Sequence, residues 1–241
     1  MPKHGKRYLE ALKLVDLTKR YPPREAIELA KKTAFANFDE SIEVHFNLGI
    51  DARQADQNVR SSVVLPHGTG KTPRVLVFAV GEAARIAQEA GADYVGSDDL
   101  VRQIESGWLE FDAAIAMADQ MGKVGPLGRI LGRRGLMPNP RSGTVIRSPE
   151  DLPQVIREVK GGRVEFRNDR TGNIHVTIGR KSFDTQKLLE NLYVLVDAVN
   201  RARPSAVKGT FIRTITVTST MGPPIALDVA QTLEEAQAFV Q

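Results

Sequence analysis

The 241-residue chain has no cysteine, which excludes disulfide bonds and thiolate metal ligands. It also has no run of about 18 apolar residues, the length that a membrane-spanning helix requires. The N-terminal sequence, Met-Pro-Lys-His-Gly-Lys-Arg-Tyr, is basic but lacks the apolar stretch of a secretion signal. We therefore expect a cytoplasmic protein with no membrane partner.

Aromatic residues are scarce, at 6%, but hydrophobic residues make up 41% of the chain and charged residues 26%. This composition is typical of globular proteins and excludes a wholly disordered chain. Because a single domain usually has about 100–150 residues, the length of the chain predicts two domains.

Positive charge is in slight excess and is unevenly distributed. Residues 68–159 carry 11 basic and 12 acidic side chains, whereas the remainder carries 22 basic and 17 acidic ones. Three acids and no base lie from Asp228 onward, so the other outer residues have a net charge of +8. Clustered Lys and Arg favour binding of a polyanion such as a nucleic acid. When these side chains neutralise phosphates, the counterions bound to the polyanion are released, and this release favours the complex. Ordinary solvated surface charge is the alternative explanation.

The hydrophobic pattern changes along the chain. Pro22 and Pro23 precede a helical pattern that reaches Lys32, and residues 42–48 alternate between apolar and polar as in a half-buried strand. A second strand is predicted over residues 59–65. From Arg74 apolar strands alternate with helices, which is typical of a doubly wound α/β domain. The predicted strands are 75–80, 93–95 and 111–116, and the predicted helices are 82–90 and 98–106.

After about Lys160 the antiparallel pattern returns. Strands at 164–166 and 174–178 flank turn-forming residues at 168–172, which predicts a hairpin. Asp184 is expected to cap a helix reaching about Ala202, and residues 211–220 form a further strand. The predicted fold class combines α/β and α+β. Residues 1–67 and 160–241 are predicted to form one discontinuous α+β domain, and residues 68–159 an inserted Rossmann-like, three-layer α/β domain.

Nucleotide-binding motifs fail at the two places where glycines suggest them. Gly68-Thr69-Gly70-Lys71-Thr72 lacks the leading glycine of a P-loop, and Pro73 leaves no helix start to hold phosphate. Val80-Gly81-Glu82 has one glycine where a dinucleotide fingerprint requires three. We therefore interpret residues 68–72 as an interdomain linker and expect no cofactor.

No constellation of residues requires catalysis. His4, His45, His67 and His175 do not have the spacing of a metal site, and no G-x-S-x-G motif is present. We expect no catalytic residue, no metal ligand and no enzymatic activity. A nucleotide-dependent enzyme that uses the inserted α/β domain is the alternative.

Three polar clusters outside residues 68–159 suit RNA. They are residues 37–41, residues 167–170 with His175, and residues 214–223. Short polar side chains form hydrogen bonds with ribose 2′-OH groups and phosphates, and Gly222 lets an RNA backbone approach because it has no Cβ. Ordinary strand ends and β-branched runs are the alternative explanation.

The segment Gly128-Arg129-Ile130-Leu131-Gly132-Arg133-Arg134-Gly135-Leu136-Met137-Pro138-Asn139-Pro140 closely resembles the signature of the ribosomal protein L-one family. Other segments match that family in order and spacing, and together they cover the chain to about Asp228; they are 38–41, 48–51, 65–68, 165–169, 208–209 and 220–223. Two positions depart from it. Asn37 stands where bacterial relatives usually carry Lys, and Arg133 replaces a common Pro.

The resemblance implies a structural protein of the large ribosomal subunit. The discontinuous domain is expected to bind a stalk of the ribosomal RNA near the tRNA exit site, aiding release of deacylated tRNA. Repression of translation from the protein's own messenger RNA is also implied. The RNA-binding residues that the resemblance implies are Phe38, Asp39, Glu40, Ser41, Asn168, Asp169, Arg170, His175, Thr218, Thr220, Met221 and Gly222.

Four finer expectations follow from the resemblance and from the residues themselves. Arg170 supplies charge for phosphate, whereas the signature segment is mainly structural, with contacts to RNA or tRNA. If the Thr220 hydroxyl bonds RNA, Thr220→Val weakens RNA binding while stability hardly changes. Residues 230–241 extend past the usual end of the family; their apolar residues allow a short amphipathic turn, but we expect a disordered acidic tail.

Overall fold

The computed structural model describes residues 4–240, except the side chain of Arg141. The first three residues of the basic N-terminal sequence and the last residue of the predicted tail lie outside the described residues. The α-helices are α1 Lys6–Leu12, α2 Pro23–Thr33, α3 Gly81–Glu89, α4 Asp98–Glu105, α5 Met121–Val124, α6 Gly128–Arg134, α7 Leu152–Gly161, α8 Thr185–Arg201 and α9 Val229–Val240. The strands are β1 Ser41–Leu48, β2 Arg60–Val64, β3 Val75–Phe78, β4 Tyr94–Gly96, β5 Ala113–Met117, β6 Val145–Ile146, β7 Arg163–Arg167, β8 Asn173–Arg180, β9 Ile212–Ser219 and β10 Ile225–Ala226.

The described chain divides into two compact units. The first contains the residues up to Gly70 together with those from Val164 onward, and the second is Lys71–Arg163. The first unit has antiparallel strands and the second a parallel sheet, so the predicted combination of α+β and α/β architecture is confirmed.

The first unit is built on an antiparallel sheet with the strand order β10-β9-β1-β8. In the central strand β1, Ile42, Val44, Phe46 and Leu48 are buried, whereas the residues between them are partly exposed. Apolar residues of β8 and β9 align with those of β1, because the strands pair in matching register. One face of the sheet is therefore apolar and the other polar.

Helices α2 and α8 pack on the apolar face of this sheet. Ile27 and Ala30 of α2 and Leu188, Leu192 and Leu195 of α8 are buried in the same cluster as the β1 side chains. Helix α2 begins at Pro23, as the paired prolines predict. Helix α8 begins immediately after Asp184, but the Asp184 side chain forms no capping hydrogen bond, so that detail of the prediction is wrong.

The predicted hairpin at residues 164–178 is wrong, although its turn is present. Strand β7 pairs with β2 in a separate two-stranded sheet, whereas β8 pairs with β1. Turn residues indicate only a local reversal of the chain. Strand β8 pairs with β1 because this pairing buries the β8 side chains Ile174, Val176 and Ile178. Strand β1 lies more than 120 residues before β8 in the sequence.

The predicted disordered tail is also wrong, because residues 229–240 form helix α9. Thr232 and Ala236 lie one helical turn apart and are buried, and α9 packs on α8. The Tyr193 hydroxyl of α8 donates a hydrogen bond to the Glu235 carboxylate at 2.6 Å. Burial and Glu235 together raise the pKa of Tyr193. The apolar spacing thus outweighs the acidic charge of the segment.

The second unit has the parallel strand order β4-β3-β5-β6. All four residues of β3 are buried, and they face two separate apolar clusters. Val75 and Val77 pack with helices α3 and α7, whereas Leu76 and Phe78 pack with α4 and α6. The predicted three-layer α/β arrangement is therefore confirmed.

Residues 68–72 have no P-loop geometry, since the chain continues into β3 at Val75 and no helix starts before Gly81. The buried side chain of Asn191 accepts a hydrogen bond from the His67 N–H at 3.1 Å and donates one to the Gly68 carbonyl at 2.9 Å. These two bonds fix the start of the segment. Within residues 4–240 no helix has the length and apolar character needed to cross a membrane.

The packing of α9 predicts different effects for two alanines on that helix. Ala236→Asp places an unpaired carboxylate in the core and should lower the free energy of unfolding by roughly 2–4 kcal/mol. Ala238→Asp is the matched control, because Ala238 is exposed, and should change stability by less than about 0.5 kcal/mol. Urea unfolding of the full chain measures both. Equal effects would show that α9 is not docked.

Candidate nucleic-acid interface

The exposed side of the antiparallel sheet carries aligned polar side chains, which we call the polar face. The strand register places them in three rows across β9, β1 and β8. Neighbouring strands lie about 4.8 Å apart, so each row presents hydrogen-bonding groups at close and regular intervals. The rows are Thr218–Glu43–Thr177, Thr216–His45–His175 and Thr214–Asn47–Asn173.

A histidine pair occupies the centre of the polar face. The Nδ1 atoms of His45 and His175 are 2.8 Å apart, so one ring donates a hydrogen bond to the other. The outer Nε2 atoms face carboxylates, with Glu43 at 4.0 Å from His45 and Asp169 at 3.7 Å from His175. Burial lowers the pKa of His45 from its ordinary 6.5, and the neighbouring His175 adds to this effect. His45 is therefore mainly neutral at pH 7.

Two of the three predicted clusters meet at one end of the polar face, which we call the Thr220 edge (residues 38–41 and 220–222). The Ser41 N–H donates to the Thr220 hydroxyl oxygen at 3.0 Å, and the Thr220 N–H donates to the Ser41 carbonyl at 3.0 Å. The Thr220 hydroxyl thus already has an intramolecular partner. Thr220→Val is expected to cost stability as well as RNA affinity, which corrects the expectation that stability hardly changes.

Buried Glu40 joins the two segments of the Thr220 edge through hydrogen bonds. Its side chain is fully buried, and its carboxylate accepts the N–H groups of Ala36 at 2.7 Å and Met221 at 2.9 Å. Burial acts to raise the pKa of Glu40, but these backbone hydrogen bonds, with help from the charge of Lys181, outweigh it and lower the pKa. The expectation that Glu40 contacts RNA directly is therefore corrected, because its side chain positions the edge instead.

Phe38 and Met221 project from the same edge into solvent. They are 55% and 51% exposed, which is unusual for large apolar side chains. The Asp39 carboxylate accepts hydrogen bonds from Ser182 N–H and Oγ, at 3.0 and 2.7 Å, and this fixes the loop that presents Phe38. An aromatic ring and a thioether in this setting suit stacking on nucleobases.

The structure requires a glycine at position 222 for a reason that differs from the predicted one. A Cβ at this position would collide with the hydroxyl of Ser219, which is buried. Thr218 closes the same turn, since its hydroxyl donates to the carbonyl oxygens of Ser219 at 2.8 Å and Gly222 at 3.1 Å. The glycine therefore allows the turn itself to form, whether or not RNA approaches it.

The third predicted cluster lies at the opposite end of the polar face, in what we call the Asp169 turn (residues 168–172). A hydrogen bond places this turn beside the last residue of β1, because the Leu48 N–H donates to the Gly172 carbonyl at 2.9 Å. Seven residue steps along β1 separate the two ends by roughly 23 Å. The structure therefore does not bring all three clusters to one end: residues 214–223 run along β9 from one end to the other, and His175 lies midway along the face.

Within this turn, the Asp169 carboxylate accepts the N–H groups of Thr171 and Asn173, each at 2.8 Å. Partial burial acts to raise the pKa of Asp169, but hydrogen bonds from Asn173 and Thr171 hold it well below its ordinary value. Asn168 accepts the Val59 N–H at 2.7 Å. Arg170 is exposed and forms no ion pair with any described residue. It is the group in the turn that is free to meet a phosphate.

Comparison with known proteins identifies the chain's relatives. A model of the family described as "Ribosomal protein L1p/L10e family" matches residues 30–223. The chain belongs to this family. It is similar to "Large ribosomal subunit protein uL1" of Thermomicrobium roseum, with 78% identity over 240 residues covering 100% of both chains. It is also similar to the proteins of that name from Chloroflexus aggregans, at 60% identity over 95% of this chain and 97% of the relative, and from Chloroflexus aurantiacus, at 59% identity over 95% and 96%.

Family membership confirms three of the predictions. The chain is a ribosomal protein of bacterial type and is cytoplasmic, and it is not an enzyme. The alternative of a nucleotide-dependent enzyme in the inserted domain therefore has no support. The family signature forms helix α6 and the segment after it, where Leu131 is buried and Leu136 and Met137 pack on the same cluster.

The sequence-based site omitted most of the polar face. The residues of these rows that lay outside both the predicted clusters and the implied RNA-binding residues are Glu43, His45, Asn47, Asn173 and Thr177. The signal was present in the alternation of β1, where every second residue is polar. Only the pairing of β1 with β8 and β9 shows that the polar residues of three distant segments form one surface.

The lowered pKa of His45 predicts how stability depends on pH. Because the unfolded chain binds this proton more readily than the folded protein, the free energy of unfolding should decrease as pH falls below about 6.5. His45→Gln should flatten the decrease. Thermal melts of the variant and the parent protein between pH 7.5 and 5 measure the difference. If the two proteins have the same pH profile, the His45 site does not titrate as described.

Proposed function

We propose that this ribosomal protein binds the RNA of the large subunit through the polar face and the Thr220 edge. The observation that carries the proposal is the surface itself. Aligned hydroxyl, amide and imidazole groups lie beside the exposed Phe38 and Met221. The names of the relatives, which are large ribosomal subunit proteins, support the choice of ribosomal RNA as the partner.

The chemistry of the surface suits RNA better than DNA. Short polar side chains at fixed spacing bond ribose 2′-OH groups and phosphates, which is how proteins recognise the shape of RNA. Phe38 and Met221 supply apolar area on which unpaired bases stack. Arg170 supplies charge at the other end. The net positive charge of the chain outside residues 68–159 favours the approach of any polyanion.

The proposal extends to the assembled ribosome. The RNA partner is a stalk of the large-subunit ribosomal RNA near the tRNA exit site, where the protein aids release of deacylated tRNA. A similar structure in the protein's own messenger RNA would let the same surface repress translation. Both rest on the family relationship. The implied RNA contacts are those of Phe38, Asp39, Ser41, Asn168, Asp169, Arg170, His175, Thr218, Thr220, Met221 and Gly222, with Glu40 positioning the edge.

The first prediction concerns Phe38, whose exposed ring has little to contribute to folding. Phe38→Ala should weaken binding to large-subunit ribosomal RNA by about five- to 150-fold, because a stacked base contributes roughly 1–3 kcal/mol. Leu14→Ala is the control, since Leu14 is an equally exposed apolar residue of the same unit. Filter binding measures affinity and thermal melts check folding. Unchanged binding by a folded Phe38→Ala variant contradicts the stacking role.

The second prediction concerns the two units, which we propose as separate folding domains near the expected boundaries of 67/68 and 159/160. A shortened chain that joins residues 1–70 to 164–241 through a glycine-serine linker should fold and keep most of the RNA affinity. Residues 71–163 alone should bind weakly, because they lack the polar face. Gel-shift titration with large-subunit ribosomal RNA compares them. Binding by residues 71–163 as tight as that of the full chain would show that the interface lies elsewhere.

A further inference from the structure

The antiparallel sheet extends one segment beyond β10. The Tyr21 N–H donates to the Ala226 carbonyl at 2.8 Å, and the Asp228 N–H donates to the Tyr21 carbonyl at 2.9 Å. Tyr21 and Leu227 are thus bridge partners in parallel orientation. The residues just before α2 therefore form the outer edge of the sheet, on the side away from β8.

The side on which Arg20 lies follows from this bridge. Tyr21 and Leu227 are both buried in the core, and successive side chains along a strand point to opposite faces. The residues that precede them, Arg20 and Ala226, therefore lie on the other face. Ala226 pairs with Thr216, which belongs to the row of His45 and His175. Arg20 thus ends the central row of the polar face.

The charge of Arg20 is free for a partner. Its side chain is exposed, and none of the ion pairs among residues 4–240 includes it. The adjacent Lys19 is already engaged, since its Nζ is 3.0 Å from Glu25 and 4.5 Å from the centre of the Tyr21 ring. A polyanion that crosses this edge would therefore meet the guanidinium of Arg20 first.

A pocket of about 260 Å³ lies beside Arg20. Its lining residues are apolar and polar in similar proportion and include Leu17, Lys19, Arg20, Thr214, Ala226 and Val229. Pockets for drug-sized ligands have roughly 300–1,000 Å³, so this one is smaller and suits a single planar base. A pocket lined by both apolar and polar groups, with a cation among its lining residues, has the groups that recognise one nucleotide.

We propose that the bound RNA continues from the polar face across this edge, with an unpaired base in the pocket and a backbone phosphate on Arg20. The inference rests on the proposed function and extends its footprint to residues outside the set that the family resemblance implies. Unpaired nucleotides are the chemistry that fits, because only they can turn a base away from the helix into a protein slot.

The charge contact is tested by the salt dependence of RNA binding. Arg20→Ala should weaken binding of large-subunit ribosomal RNA and reduce the slope of log affinity against log salt by about 0.7–0.9, the value for one phosphate. Arg24→Ala is the matched control, because Arg24 is exposed on the same unit but paired with Glu28 at 3.4 Å. An Arg20→Ala variant that behaves like Arg24→Ala overturns the proposal.

The pocket is tested by directed cleavage, which the absence of cysteine makes specific. Leu17→Cys carries a tethered iron chelate at the pocket wall, and hydroxyl radicals from it should cut the bound RNA at one unpaired nucleotide and its neighbours. A complex that forms normally but is not cut, or is cut only within paired RNA, overturns the inference and leaves the proposed function standing. Failure of the unaltered protein to bind the RNA overturns both.

Discussion

The strict alternation of β1 is the constraint on which the rest of the first unit depends. Its apolar residues form the centre of the core, and its polar residues form the central column of the polar face. A register shift of one residue would exchange these two sets of side chains, so the core also fixes the surface. Both neighbours of β1 come from more than 120 residues away, which means that the surface exists only in the folded chain.

A buried charge sets the geometry at one end of that surface. The Glu40 carboxylate satisfies the backbone N–H groups of Ala36 and Met221, and so joins the start of β1 to the turn after β9. Because its folded pKa is lowered from 4.5, its contribution to stability is present above that pH and is lost as the pH falls through the lower, folded value. Removing one partner of such a group leaves the other buried without a hydrogen bond, which costs more than the bond contributes. The exposed Phe38 and Met221 are thus presented by a rigid support.

Local sequence patterns predicted most helices and strands of the fold. The errors concerned contacts between segments that are far apart in sequence. The β1 alternation, the buried strand at Val75 and the paired prolines before α2 each indicated the observed element. The pairing of β8 and the docking of α9 depend on partners far away in sequence, which neither turn residues nor net charge can indicate. The same holds for the site. Thr220 and Ser41 were predicted together from the family resemblance, but the row of Arg20, Thr216, His45 and His175 follows only from strand register.

The central claim is that RNA covers the polar face and its Thr220 edge, and oxidative footprinting of the full-length protein tests it most directly. Hydroxyl radicals modify exposed methionine and aromatic side chains, and mass spectrometry locates each modification. With large-subunit ribosomal RNA bound, Met221 and Phe38 should become protected, whereas the partly exposed Met121 and Met137 of the second unit should be modified as in the free protein. Buried Met117 serves as the internal reference. Protection of Met121 and Met137 with Met221 and Phe38 unchanged would contradict the account.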